Sequence, residues 1–114
     1  MVISQRQVWW AELPAPVGSG PGYRRPVIVV QGDAFNRSRI ATVVVVPLTR
    51  SLRLAAAPGN VILSGTSTGL GDDSVANVSQ VVSIDRTLLS DLVGSVSQRE
   101  LELVLLGIDL VLGR

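Results

Sequence analysis

Short apolar runs separated by turn-forming residues set the rhythm of this chain. Gln7-Val8-Trp9-Trp10-Ala11-Glu12-Leu13 predicts a first strand, and Pro14 ends it because proline has no N–H to give a ladder. Residues 14–22 hold three prolines and three glycines, a loop longer than a tight hairpin needs. Pro26 to Gln31 predicts a second strand whose core, Val27-Ile28-Val29-Val30, lacks polar alternation, as expected of a strand covered on both faces. Gly32 to Arg39 reads as a polar turn, and Ile40 to Leu48 as a third strand, again apolar on both sides. A second long loop runs from Arg50 to Asn60. Val61-Ile62-Leu63 predicts a fourth strand, Gly65 to Asp73 a turn, and Ser74 to Ile84 a fifth strand. Its alternation places Val75, Asn77 and Ser79 on one side and Ala76, Val78 and Gln80 on the other.

From Asp85 the pattern changes. Asp85 is a capping residue for a short helix through Leu92, and Gly94-Ser95-Val96 adds a last short strand. Ser97 and Glu100 fit a capping box that opens a helix from Gln98 to Leu112. Leu101, Val104, Leu105, Ile108, Val111 and Leu112 share one face of it, while Leu103, Leu106 and Leu110 widen the stripe nearly all round. A helix this apolar is expected either deep in a core or against a second chain, and in so short a chain a dimer contact is the favoured reading. Five short strands followed by a closing helix predict a mainly β fold with helices (α+β): a small, strongly bent antiparallel sheet or barrel. The length, 114 residues, fits one domain over residues 1–114.

Composition narrows the chemistry. The chain is 46% hydrophobic but only 4% aromatic, so the core is aliphatic. It has no cysteine, histidine or lysine, which removes disulfides, the usual zinc ligand sets and imidazole acid–base catalysis. No Gly-rich P-loop or dinucleotide motif occurs. The longest apolar run, Val43 to Leu48, is too short to span a bilayer, no leader pattern opens the chain, and a cytoplasmic location is expected. Net charge is only +1, but residues 1–53 carry +5 and residues 54–114 carry −4. That asymmetry fits an anion-binding face; charges scattered over solvated loops would also produce it.

Candidate chemistry therefore rests on arginines, hydroxyls, carboxylates and backbone amides. Arg24-Arg25-Pro26 stands where the first long loop enters a rigid strand, and a guanidinium there is suited to bidentate contact with phosphate. Position alone also allows Arg25 to be a surface residue pairing with Asp33 or Glu12. Thr49 ends the third strand; if strands two and three pair, its hydroxyl lies at the sheet end that carries Arg25. Ser19 sits between Gly18 and Gly20, suited to an adaptable ligand contact or to a plain linker. Asp72-Asp73-Ser74 reads as a strand-capping turn without a third metal ligand. Gln80 needs a hydrogen-bond partner if buried. Trp9 and Trp10 point to opposite faces, one to a core and one toward a base or a second chain.

In order and spacing these segments resemble the MazF family (PemK/MazF-like) of toxin–antitoxin endoribonucleases. The resemblance is carried by Gln7-Val8-Trp9 through Leu13, by Gly18-Ser19, by Arg25-Pro26-Val27-Ile28-Val29-Val30-Gln31 with Asp33 and Asn36, and by Pro47-Leu48-Thr49. Gly69-Leu70, Asp73-Ser74-Val75-Ala76 and Gln80-Val81-Val82-Ser83-Ile84-Asp85 continue it, over about 100 residues. It implies a small SH3-like antiparallel barrel of the CcdB/MazF type closed by a C-terminal helix, a homodimer, and sequence-specific cleavage of single-stranded RNA without metal or cofactor. The implied products carry 2′,3′-cyclic phosphate and 5′-hydroxyl ends, and the implied consequence is arrested translation and growth. A cognate MazE-like antitoxin that binds across the dimer is implied as well.

Residue by residue, the family's catalytic arginine falls on Arg25, its catalytic threonine on Thr49 and its loop serine on Ser19. Arg24, Arg50, Arg53 and Gln80 are the further expected RNA contacts. Two positions depart from the family pattern: Gly20 stands where a glutamate often follows Gly-Ser, and Val82 where an arginine often follows the glutamine of the fifth-strand motif. Neither touches Arg25 or Thr49, so altered sequence preference is expected. The competing class is a non-cleaving CcdB-like toxin that poisons DNA gyrase by protein contact; a third is a relative that binds without cutting.

Overall fold

The computed structural model describes residues 2–16, 18–20 and 22–114; Met1, and Val17 and Pro21 of the expected first loop, lie outside the described residues. Seven strands, β1 (Gln7–Leu13), β2 (Tyr23–Val29), β3 (Thr42–Thr49), β4 (Val61–Leu63), β5 (Ser74–Ala76), β6 (Val82–Asp85) and β7 (Leu89–Ser95), form one curled antiparallel sheet among the described residues. Its order is β4-β5-β3-β2-β1-β7, with β6 on the same edge of β3 as β5. Helices α1 (Asp33–Asn36) and α2 (Gly65–Thr68) are single turns, and α3 (Gln98–Val111) closes the half-barrel.

Strands β2 and β3 are the hub because their side chains are apolar on both faces. Val8, Ile28, Val46 and Leu48 point to one side, where Leu63, Ala76, Val78, Val96 and the α3 residues Leu101 and Val104 cover them. Trp9, Ala11, Val27, Val29, Val43 and Val45 point to the other, under Ile3, Ile84 and Leu89. The pairs Val8↔Ile28 and Trp9↔Val27 fix this assignment, since directly opposed residues share a face. A one-residue slip would exchange the two cores, so register is strongly specified.

The motif residues Gln31 and Asn36 form a buried polar plug, edged by the partly exposed Asp33, where β2 gives way to α1. Gln31 Nε2 donates to Asn36 Oδ1 (3.0 Å), and Gln31 Oε1 accepts from the Val44 N–H (3.2 Å). Asn36 Nδ2 donates to the Gln31 carbonyl (2.8 Å) and to Asp33 Oδ1 (3.1 Å). These amides stand in for ladder bonds that the departing chain no longer makes.

Several element boundaries differ from expectation. The fifth strand, expected over Ser74–Ile84, is two strands separated by a 3₁₀ turn at Val78–Gln80. The reason lies in β3: Asn77 donates to the Pro47 carbonyl (3.0 Å), but Pro47 has no N–H to return, and the partner chain leaves the ladder at that point. The helix expected over Asp85–Leu92 is a 3₁₀ turn, Arg86–Leu88, followed by β7. Asp85 caps it as expected, accepting from the Thr87 N–H (2.9 Å), but the open edge of β1 then captures the chain as a strand with two bulges. Strand β2 starts three residues early at Tyr23, and the polar turn and second loop contain α1 and a 3₁₀ turn at Leu52–Ala56.

Helix α3 begins as predicted. Ser97 Oγ accepts from the Glu100 N–H (3.1 Å), and Glu100 Oε1 accepts from the Ser97 N–H (3.1 Å), completing the capping box. Glu100 Oε2 also accepts from the Ser64 N–H (3.2 Å), tying α2 to α3. The helix is not deep in a core: Leu106 and Leu110 are 63% and 57% exposed.

Three carboxylates are held below their ordinary range. Asp33 is lowered by the Gln5 N–H and the Asn36 amide, and Asp85 by the Thr87 N–H and hydroxyl. For Glu100 burial pushes upward, but hydrogen bonds from Ser97, Ser64 and Ser67 outweigh it, so the net direction is down. Groups with lowered folded-state pKa contribute stability above the unfolded carboxylate range and lose it as pH falls through the folded values. Tm is therefore expected to drop on acidification from neutrality to pH about 3, with a smaller drop in Glu100→Gln. Thermal melts across that range check it, and a flat Tm would contradict it.

Candidate active site

The β2–β3 register is the key to the site. Val27↔Pro47, Ile28↔Val46 and Val29↔Val45 are paired, and continuing the same antiparallel count by two places brings Arg25 opposite Thr49. β2 has only β1 beside it over Tyr23–Pro26, because β3 veers off to pair with β5 at Leu48 and Thr49. The parting of β2 from β3 opens a cleft of about 400 Å3, lined by Trp10, Arg24, Arg25, Pro26, Leu48, Thr49, Arg50, Leu70, Asp72 and Ser74.

Arg25 and Arg24 alternate across the strand and have opposite fates. Arg24 lies on the face of Glu12 and Trp10, and its guanidinium is taken up there. It pairs with Glu12 and with Asp91 (3.1 Å), donates to Ser90 Oγ (3.1 Å), and stacks 4.8 Å from the Trp10 ring centroid. Asp91, then Glu12, raise its pKa further, so it stays cationic. Arg25 pairs with neither Asp33 nor Glu12. Its Nε is buried and has no hydrogen-bond partner among the described residues. A half-buried cation with an unmatched donor, at a cleft wall, is prepared for an anion.

Thr49 Oγ1 accepts from the Ser51 N–H (3.2 Å), a local turn that fixes the hydroxyl while leaving its proton available to donate. Arg50 reaches the rim and pairs with Asp72 (3.3 Å). Both side chains are highly exposed, so the pair is weak and a phosphate can displace the carboxylate. Asp73 is committed elsewhere: its Oδ1 accepts from the Gly65 N–H (2.9 Å). The two adjacent aspartates therefore serve a cleft-rim ion pair and a turn.

Of the other expected contacts, Gln80 Nε2 donates to the Ser19 carbonyl (2.7 Å), so the first loop and the Val78–Gln80 turn meet each other. Arg53, on the Leu52–Ala56 turn, is not among the residues lining the cleft. Leu70 and Ser74, read in the sequence as motif and turn residues rather than as site residues, also line it; they arrive through the β3–β5 pairing, which links segments more than 20 residues apart.

The matching family model describes a PemK-like, MazF-like toxin of type II toxin–antitoxin systems and covers residues 4–112. Endoribonuclease MazF6 of Mycobacterium tuberculosis is 50% identical over 96 residues, covering 84% of each chain. Endoribonuclease EndoA of Bacillus subtilis is 34% identical over 91 residues, covering 80% of this chain and 78% of that one. Among solved structures, MazF from Deinococcus radiodurans superposes with a TM-score of 0.83 at 22% identity, over 100% of this chain and 99% of that one. A mycobacterial endoribonuclease in complex with its cognate antitoxin superposes with a TM-score of 0.76 at 22% identity, over 97% and 95%. The curled half-barrel closed by a C-terminal helix is thus the CcdB/MazF-like fold expected from the sequence. By the family match and by half-identity to curated relatives, the chain belongs to the PemK-like, MazF-like toxins of type II toxin–antitoxin systems.

Proposed function

We propose that this protein is a sequence-specific, metal-independent endoribonuclease toxin that cuts single-stranded RNA through the ribose 2′-OH, leaving 2′,3′-cyclic phosphate and 5′-hydroxyl ends. The observation that carries the reading is the convergence of Arg25, with its unmatched buried Nε, and Thr49 on one cleft at the end of the β2–β3 ladder.

The substrate supplies the nucleophile. The 2′-oxygen attacks the adjacent phosphorus and loses its proton, the P–O5′ bond breaks, and the 5′-oxygen takes up a proton. Negative charge builds on the phosphorane oxygens, and the Arg25 guanidinium, already positioned and partly desolvated, stabilises it. That fixed charge is the contribution a cation would otherwise make. Thr49 donates to a phosphate oxygen or orients the 2′-OH. Without an imidazole the chain has no base tuned near neutrality, so catalysis is slow and relies on positioning. Arg50 exchanges its weak partner Asp72 for a backbone phosphate, Arg53 holds the strand beyond the cleft, and Ser19 with Gln80 contacts it from the loop side. Arg24, held by two carboxylates, contributes as part of the Trp10 platform on which a base can stack.

The chain acts as a single domain, residues 1–114, in the cytoplasm; no helix among the described residues is long and apolar enough to cross a membrane. A second copy covers the exposed leucine row of α3, and a cognate MazE-like antitoxin blocks RNA access; a mycobacterial endoribonuclease of the same fold has been solved in complex with its cognate antitoxin.

The purified protein incubated with a long RNA in EDTA is expected to give discrete fragments with 5′-hydroxyl ends. Intact RNA would overturn the reading, and intact RNA with gyrase inhibition would put a CcdB-like poison in its place. Thr49→Val is expected to lower kcat about tenfold or more, the loss of one hydrogen bond to charged phosphate, with Thr49→Ser restoring most of it.

A further inference from the structure

A second cationic cleft lies at the other end of β3. It measures about 470 Å3 and is lined by Val2, Ile3, Asn36, Arg37, Ser38 and Arg86. The backbone builds it: Arg86 follows β6 and donates its N–H to the Ala41 carbonyl (2.9 Å), just before β3 begins, whereas the Arg25–Thr49 cleft opens where β3 ends. The length of the strand separates the two, roughly 23 Å of extended chain.

Arg86 is fixed in place. Its Nη2 donates to the carbonyls of Phe35 (3.1 Å) and Asn36 (2.7 Å) at the end of α1. Its Nε is buried with no partner among the described residues. Arg37, the next residue along α1, is exposed at the same cleft. Among the described residues no carboxylate pairs with either arginine. Of the nearby acids, Asp33 accepts from Gln5 (2.7 Å) and Asn36 and feels the Arg37 charge without forming an ion pair with it, and Asp85 accepts from the Thr87 N–H and hydroxyl. The carbonyl bonds explain why Arg86 is cationic and rigid, yet two of its five N–H donors account for them. With Nη2 occupied, Arg86 has no bidentate edge left; its free Nη1 end and the neighbouring Arg37 guanidinium bring two cations to one cleft, an arrangement suited to the oxygens of a phosphate group.

We infer that the Arg37–Arg86 cleft is a phosphate-binding site, separate from the Arg25–Thr49 cleft and facing the opposite end of the sheet. The inference stands whether or not Arg25 cleaves RNA. The phosphate belongs either to the backbone of a bound RNA strand or to a free phosphate-bearing small molecule, and the chemistry of capture is the same.

The test is a titration of the isotope-labelled full chain with inorganic phosphate, read by backbone amide shifts. Saturable shifts are expected at residues 35–38 and 86–88. Arg37→Ala, an exposed substitution, is expected to weaken that binding about tenfold, the loss of one charge-assisted contact. Arg86→Lys keeps the charge but loses the separate Nη1 donors, and is expected to weaken it as well. Shifts that never saturate, or that spread evenly over every arginine, would overturn the site, as would unchanged affinity in both variants. To separate the sources, a long RNA made uncleavable by 2′-O-methylation is compared with a short one that fills only the Arg25 cleft. If only the long strand competes with phosphate here, the ligand is RNA backbone; if neither does while phosphate still saturates, it is a small molecule.

Discussion

Arg25→Ala should lose about 10²–10³-fold in cleavage rate, the usual effect of removing one preorganised donor from developing oxyanion charge, with no loss of thermal stability. The two halves of this expectation come from one observation. A buried Nε without a partner destabilises the folded state by about 1–3 kcal/mol relative to a matched donor. Deleting the guanidinium removes that penalty together with the charge that the reaction needs. A structural arginine behaves in the opposite way, because its removal leaves carboxylates unmatched. Single-turnover cleavage of a long RNA and a thermal melt, run on the same preparation, separate the cases. Full activity would refute the catalytic assignment, and a collapsed Tm would show that Arg25 holds the fold. Arg25→Lys keeps a charge without the bidentate fork and is expected to fall between wild type and Ala.

Arg24 is the internal control. It is the neighbouring residue, of the same type and on the same strand, yet strand alternation turns it to the face of Glu12, Asp91 and Trp10. Two carboxylates and an indole match its charge; nothing among the described residues matches that of Arg25 on the other face. A strand parity of one residue thus separates a cation built into a surface network from a cation left unmatched at the cleft.

What could be read from the sequence follows how local each signal is. The limits of β1, the limits of β4, the capping box of α3 and the two-sided burial of β2 and β3 were legible, because each is written in adjacent residues. So was the placing of Arg25 and Thr49 on one cleft, which needs only that β2 and β3 pair. The break at Val78–Gln80 was not, since its cause is Pro47 on another strand. Arg86–Leu92 carries leucines at helical spacing, but the open edge of β1 makes Leu89–Ser95 a strand; a long-range ladder overrides a weak local preference. The capture of Arg24 by Asp91, 67 residues away, has no local signature at all. Gln31, Asp33 and Asn36, conspicuous as a motif, turn out to close the sheet end remote from the cleft.

Gly107→Ala should be a damaging single-methyl change, although alanine is the better helix former. In the middle of α3 the exchange favours the helix by roughly 0.8–1 kcal/mol. Against this, α3 crosses the turn before β4 at backbone contact: a Cβ on Gly107 would overlap the Gly59 carbonyl oxygen, and Gly59 itself sits at φ +85° with Gly107 against it. Neither partner is the end of a flexible side chain, so the helix must lift. Lifting it loosens Leu101 and Val104 from Leu63 and Val78, and overpacking of this kind costs about 1–3 kcal/mol or more. The clash outweighs the propensity gain, and Tm should fall by roughly 4 °C or more per net kcal/mol. The cleft lies at the β2–β3 parting, away from this contact, so cleavage per folded molecule well below Tm should be unchanged. A Tm equal to or above that of wild type would show that α3 is not seated on the Gly59 turn.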